Sequence, residues 1–161
     1  MAAHVIQLPR GRVEVEERAG FLFIVEQGEL RDLRELEAYV AQLEKLIEKT
    51  GLRRAIIDAR GERGDPPAEV RRAMWDWLAA PNRGLSQVAF VLPSEMAVAR
   101  VNMTALSQKA PVRAFDSVQQ AQRWLLRPVR PSQFGMAPVS GPPGPPSTPP
   151  SDDDEGGSQV A

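Results

Sequence analysis

Cysteine is absent from the 161 residues, and histidine occurs once, at His4. Without thiols the chain makes no disulfide, holds no thiolate metal site and carries no cysteine nucleophile. With a single imidazole close to one end, neither a catalytic triad nor a histidine-rich metal site can be assembled. His4 reads instead as an exposed residue of an edge strand. No serine stands in a Gly-x-Ser-x-Gly elbow and no metal-ligand spacing occurs, so the chain is not read as an enzyme and no cofactor is expected. Apolar runs are short. None approaches the roughly 18 residues of a membrane span, and the opening residues lack the charged segment and long apolar stretch of a signal peptide. The expected compartment is therefore the cytoplasm. A basic surplus is also missing: up to Arg127 there are 19 basic and 17 acidic residues, and beyond it one arginine stands against Asp152, Asp153, Asp154 and Glu155. That balance argues against general nucleic-acid binding, and the pairs Arg53–Arg54 and Arg71–Arg72 are explained equally well as a local basic patch or as solvated helix faces.

What is present is periodicity. Residues 12 to 17 alternate polar with apolar, with Val13 and Val15 inward and Glu14 and Glu16 outward, so the acidic cluster there reads as a solvated strand surface. Residues 21 to 25 are a continuous β-favouring run after Ala19-Gly20, which predicts an antiparallel hairpin with its second strand buried on both faces. Residues 4 to 8 add an edge strand. From Leu30 the period changes, and Leu33, Leu36, Val40, Leu43 and Ile47 predict a helix ended by Gly51. Ala55-Ile56-Ile57 is a short central strand. Asp65-Pro66-Pro67 has the pattern of an acceptor cap before a helix whose stripe is Val70, Ala73, Met74, Trp77 and Leu78. Residues 88 to 92 form a buried strand, and Pro93-Ser94 opens a helix with Ala97, Val98, Val101 and Ala105 inward. Residues 112 to 115 are a last strand. Ser117 and Gln120 then have capping-box spacing before Val118, Ala121, Trp124 and Leu125.

The expected fold is thus α/β: a small mixed, mostly parallel sheet with an N-terminal β-hairpin and about four helices, spanning residues 1 to 127. Nine of the fifteen prolines fall after Arg127. Low hydrophobicity with repeated Pro and Gly cannot offset the entropy of ordering, so residues 128 to 161 read as a disordered acidic tail. Its PxxP spacings, such as Pro142 to Pro145 and Pro146 to Pro149, are of a kind any proline-rich stretch generates.

The strand Arg-Ala-Ile-Ile-Asp-Ala at 54 to 59, the strand Gln-Val-Ala-Phe-Val-Leu at 87 to 92 and the closing Val-Arg-Ala-Phe-Asp-Ser-Val-Gln-Gln-Ala-Gln-Arg-Trp-Leu at 112 to 125 resemble the bacterial STAS domains, in particular their SpoIIAA-like branch. The resemblance implies a non-catalytic module that binds proteins, nucleotides or apolar small molecules. It also implies, for the best-known members, an anti-sigma-factor antagonist switched by phosphorylation of a serine at the start of the helix after the central strand. Here no Ser or Thr occurs from Gly51 to Leu85, so that switch is not expected. Asp65 lies near the matching place, where it is either a fixed acidic mimic favoured by the helix dipole or an ordinary N-cap.

Residues 61 to 65 form the loop most open to a ligand, after a central parallel strand and before a helix. Backbone N–H groups there could hold an anion with help from Arg60 or Arg63, although the spacing matches no nucleotide motif. Trp77 falls on the core stripe, whereas Trp75 points away, one turn beyond Arg71, as a surface cation–π pair or an interface anchor. The candidate partner or ligand residues are therefore Arg60, Arg63, Asp65, Arg71, Trp75 and Met96. The main reading is a regulatory protein-interaction module, with a second copy of the chain as one partner it can take. SpoIIAA-like domains are also similar to CRAL-TRIO lipid-transfer domains. That likeness implies an alternative, a small apolar ligand lined by Met74, Trp77, Met96 and Val101, which are equally explained as packed core.

Overall fold

A computed structural model describes residues 2–80 and 84–127 of the chain; the expected tail and its PxxP spacings lie outside them. Six strands and four helices follow one another as β1 (Ala3–Leu8), β2 (Gly11–Arg18), β3 (Phe21–Gly28), α1 (Leu33–Thr50), β4 (Arg54–Glu62), α2 (Ala68–Ala79), β5 (Gln87–Val91), α3 (Glu95–Gln108), β6 (Val112–Phe115) and α4 (Val118–Leu125). All six strands join one sheet in sequence order. β1, β2 and β3 are antiparallel neighbours, whereas β3 to β6 run parallel. The α/β fold expected from the sequence is the fold observed.

The alternation in β2 buries Val13 and Val15 and leaves Glu14 and Glu16 to pair with Arg12 and Arg18. These carboxylates make a solvated surface. His4 is less exposed than expected, because its ring lies 2.9 Å from Glu17 on the next strand. β3 packs on both sides: Leu22 and Ile24 join the larger core under α1 to α3, and Phe21 joins Ile56, Ala89 and Val91 under Ala121 and Leu125 of α4. The strand order does not reverse, and residues of α1, α2 and α3 pack into one core on a single face of the sheet. That order contains no switch point of the doubly-wound kind.

Helix ends follow local chemistry. Asp32 caps α1 by accepting from the Glu35 N–H at 2.9 Å, and Gly51 closes it in the left-handed conformation at φ 74°. Ser94 and Ser117 cap α3 and α4 by accepting from the N–H groups of Ala97 and Gln120. Leu36, Tyr39, Leu43 and Ile47 of α1 are buried, each contributing roughly 1.5–3 kcal/mol of hydrophobic stabilisation. Arg54 reaches across to the carbonyl of Leu125 at 2.9 Å, closing the C-terminal end of α4 rather than forming a basic patch.

Three local expectations are corrected. The central strand is not three residues long but runs from Arg54 to Glu62, taking Gly61 and Glu62 out of the expected loop. β3 supplies the reason, since its far end offers ladder partners to Gly61 and Glu62 that a charged sequence does not advertise. Asp65 does not cap α2: the capping position falls on Pro67, with no side-chain bond to the helix. The two prolines set the capping position two residues beyond the carboxylate. Trp77 is only partly buried. Its indole N–H donates to Glu44 of α1 at 2.8 Å, and its ring lies against Gly84.

Candidate functional site

A cleft of about 710 Å³ opens between α2 and α3 over the C-terminal ends of β4 and β5. Its floor is Ala59, Phe90 and Leu92; Met74 and Trp75 of α2 form one wall and Val101 of α3 the other. Arg71, Arg72, Arg100, Asp65 and Asp76 reach it from the helices and the loop. Asp65 faces Arg100 across 3.6 Å with both side chains largely in water, a contact worth under about 1 kcal/mol. It spans the cleft without sealing it.

One end of the floor is acidic. Glu62 lines the cleft and is hydrogen-bonded to Glu26, which in turn accepts from the Tyr39 hydroxyl. A β-bulge creates this meeting. Between Val25 and Gln27 of β3 one residue intervenes, whereas two intervene between their partners Asp58 and Gly61 of β4. The extra residue reverses the alternation of β4 and turns Glu62 to the face that Glu26, Leu22 and Ile24 share. Burial, then the neighbouring Glu26, pushes the Glu62 carboxyl up to about 9. Glu26 is also raised, chiefly by burial, and Tyr39 is raised by burial and the adjacent carboxylate. At neutral pH Glu62 is therefore a neutral acid that donates to Glu26, a polar end to an otherwise apolar floor. On the opposite sheet face Asp58 is held below the usual carboxylate range by two hydrogen bonds from the Arg60 side chain, at 2.9 and 2.7 Å.

The cleft brings together Asp65, Arg71 and Trp75 from the residues expected on sequence grounds. It leaves out three others. Arg60 is engaged with Asp58, Arg63 is exposed with its N–H bonded to the Gly28 carbonyl, and Met96 is 74% exposed on α3. Trp75 does not stack with Arg71: among the described residues the cation–π contacts are Arg18 over Phe23 and Arg113 over Phe115. It is half-buried and packs against the main core, so the tryptophan expected inside and the one expected outside are both at the boundary. Of the apolar set expected to hold a small ligand, Met74 and Val101 line the cleft, whereas Trp77 turns to α1 and Met96 to solvent.

Glu26, Tyr39, Glu62 and Arg100 were not singled out by the sequence. One signal was available: Glu26 continues the apolar run of β3, and a carboxylate there must be exposed, paired or neutral. No signal pointed to Glu62, whose direction depends on the bulge.

No family model matches the sequence, and no curated protein matches it. Solved structures do. An uncharacterised protein of the DUF3478 family from Shewanella loihica, described as having a SpoIIAA-like fold, is 16% identical with a TM-score of 0.55, over 74% of this chain and 97% of that one. An anti-sigma factor antagonist from Mycobacterium paratuberculosis is 13% identical with a TM-score of 0.46, over 77% and 94%. On the first of these likenesses, and on the strand order and helix placement described above, the fold of this chain is SpoIIAA-like.

Proposed function

We propose that the protein is a non-catalytic regulatory module of STAS type that binds another protein through the cleft between α2 and α3, without a phosphoserine switch. One observation carries this reading: the open cleft sets an apolar floor and the Trp75 ring beside Arg71, Arg72 and Arg100. Half-buried tryptophan next to arginine is the composition of interface anchor sites. A partner segment that inserts an apolar side chain and carries carboxylates on its flank fits both parts. The non-catalytic part rests on residue types, since the one imidazole is on β1, paired with Glu17, and the chain has no thiol. The absence of Ser and Thr from Gly51 to Leu85 leaves no hydroxyl to phosphorylate where α2 begins.

The cleft volume favours a second reading, because about 710 Å³ lies within the range of small-molecule pockets, roughly 300–1,000 Å³. The ligand would be a mostly apolar molecule with one polar end directed at Glu62. Two measurements on protein purified from its own host separate the readings. Affinity purification with wild type, Trp75→Ala and Arg72→Glu baits is expected to recover a protein that both variants lose; recovery of the same proteins by all three baits rejects the cleft as the docking surface. Native mass spectrometry that finds a retained small molecule supports the second reading, and a bare mass rejects it.

A further inference from the structure

Helix α3 carries two apolar faces and uses one. Val98, Val101 and Ala105 pack inward. On another face Met96, Met103 and Leu106 are 74%, 70% and 81% exposed, with Ala99 exposed between them. Their spacing of three, four and three residues makes one straight stripe, the a and d positions of nearly two heptads. A contiguous exposed apolar stripe of this kind marks an interaction surface.

We propose that this stripe is a self-association surface, on which α3 of a second copy packs antiparallel about a two-fold axis at the level of residue 101. The pattern is self-complementary under that operation. Met96 meets the partner's Leu106, and the small Ala99 meets the partner's Met103, so a large side chain fills the space each alanine leaves. A parallel pairing would set alanine on alanine and leave a gap. Charge follows the same symmetry. Glu95 opens α3 and Lys109 follows its last residue, so the two opposite charges stand at opposite ends of the helix. The antiparallel arrangement brings each Glu95 beside the partner's Lys109, twice in the dimer. Arg100, on the other flank and one residue from the axis, pairs with Asp65 at 3.6 Å, which offsets part of its repulsion from the partner's Arg100. Ala97, Val101, Thr104 and Gln108 line the cleft from a different face of α3, so pairing through the stripe leaves the cleft open.

Sedimentation equilibrium on the full chain tests this. Wild type is expected to reach twice the 17.7 kDa monomer mass at tens of micromolar, and Met103→Glu to weaken the dimer by roughly 100-fold while melting at the wild-type temperature. Glu95→Lys alone weakens it and the added Lys109→Glu restores it. Because the chain has no native thiol, Ala99→Cys/Met103→Cys yields an oxidised covalent dimer. Met96→Cys alone does not, its two copies lying ~15 Å apart along the seam. A wild type that stays monomeric to about 500 μM, or a Met103→Glu variant that dimerises as well as wild type, overturns the proposal.

Discussion

Replacing Glu62 by Gln should stabilise the protein at neutral and alkaline pH and flatten its stability profile. In the folded chain the Glu62 carboxyl titrates near 9, whereas its ordinary value is 4.5. Between those values the folded state holds a proton that the unfolded state has released. Unfolding therefore releases one proton, and stability falls as pH rises, by roughly 1.4 kcal/mol per pH unit for one proton. At pH 7 the accumulated cost is on the order of 3 kcal/mol relative to a side chain that needs no proton. Glutamine keeps the size of the side chain and offers an N–H to Glu26 in place of the acid O–H, so the hydrogen bond survives while the linkage disappears. Urea titrations of wild type and Glu62→Gln at about pH 6, 7 and 8 measure both quantities. The variant should gain on wild type with each step upward, and the two should converge toward about pH 5. Equal pH slopes for the two proteins would refute the assignment of a retained proton to Glu62. A variant less stable than wild type at pH 8 would show that the carboxylate is ionised and needed there.

Asn102 of α3 bonds both outward-facing groups of Ala114 on the edge strand β6, accepting from its N–H at 2.8 Å and donating to its carbonyl at 3.3 Å. Asn102→Ala should cost about 2 kcal/mol through the orphaned edge amide, with faster amide exchange at Ala114 as the local readout; unchanged exchange there would contradict this. Gly28 sits at φ 94°, and a Cβ on it would meet the Arg10 carbonyl oxygen at 2.3 Å. Gly28→Ala should therefore destabilise by at least about 3 kcal/mol, measured by thermal melting, whereas Gly51→Ala, which meets nothing within 4 Å, should cost about 1 kcal/mol from the left-handed backbone alone.

The element order and most element ends were legible in the sequence, because their causes are local. Val13 and Val15 alternate with charge, the α1 stripe repeats at helical spacing, and Gly51, Ser94 and Ser117 each close or open a helix through contacts a few residues away. The candidate site was legible only in part, through Asp65, Arg71 and Trp75 near the start of α2. Its remainder depends on contacts between distant segments. β3 extends β4 through Gly61 to Glu62, and one bulge in that pairing turns Glu62 toward Glu26 instead of away from it. The proline pair frees Asp65 from the helix end and leaves it to face Arg100, thirty-five residues on. Packing against α1 draws Trp77 to Glu44, and the angle at which α3 sits on the sheet leaves Met96 in water while Val101 lines the cleft. Local periodicity determined which segments are helices and strands, since each segment carries its own apolar face. Tertiary pairing alone decided which charged and aromatic side chains of distant segments meet, since the register of one strand against another is not written in either.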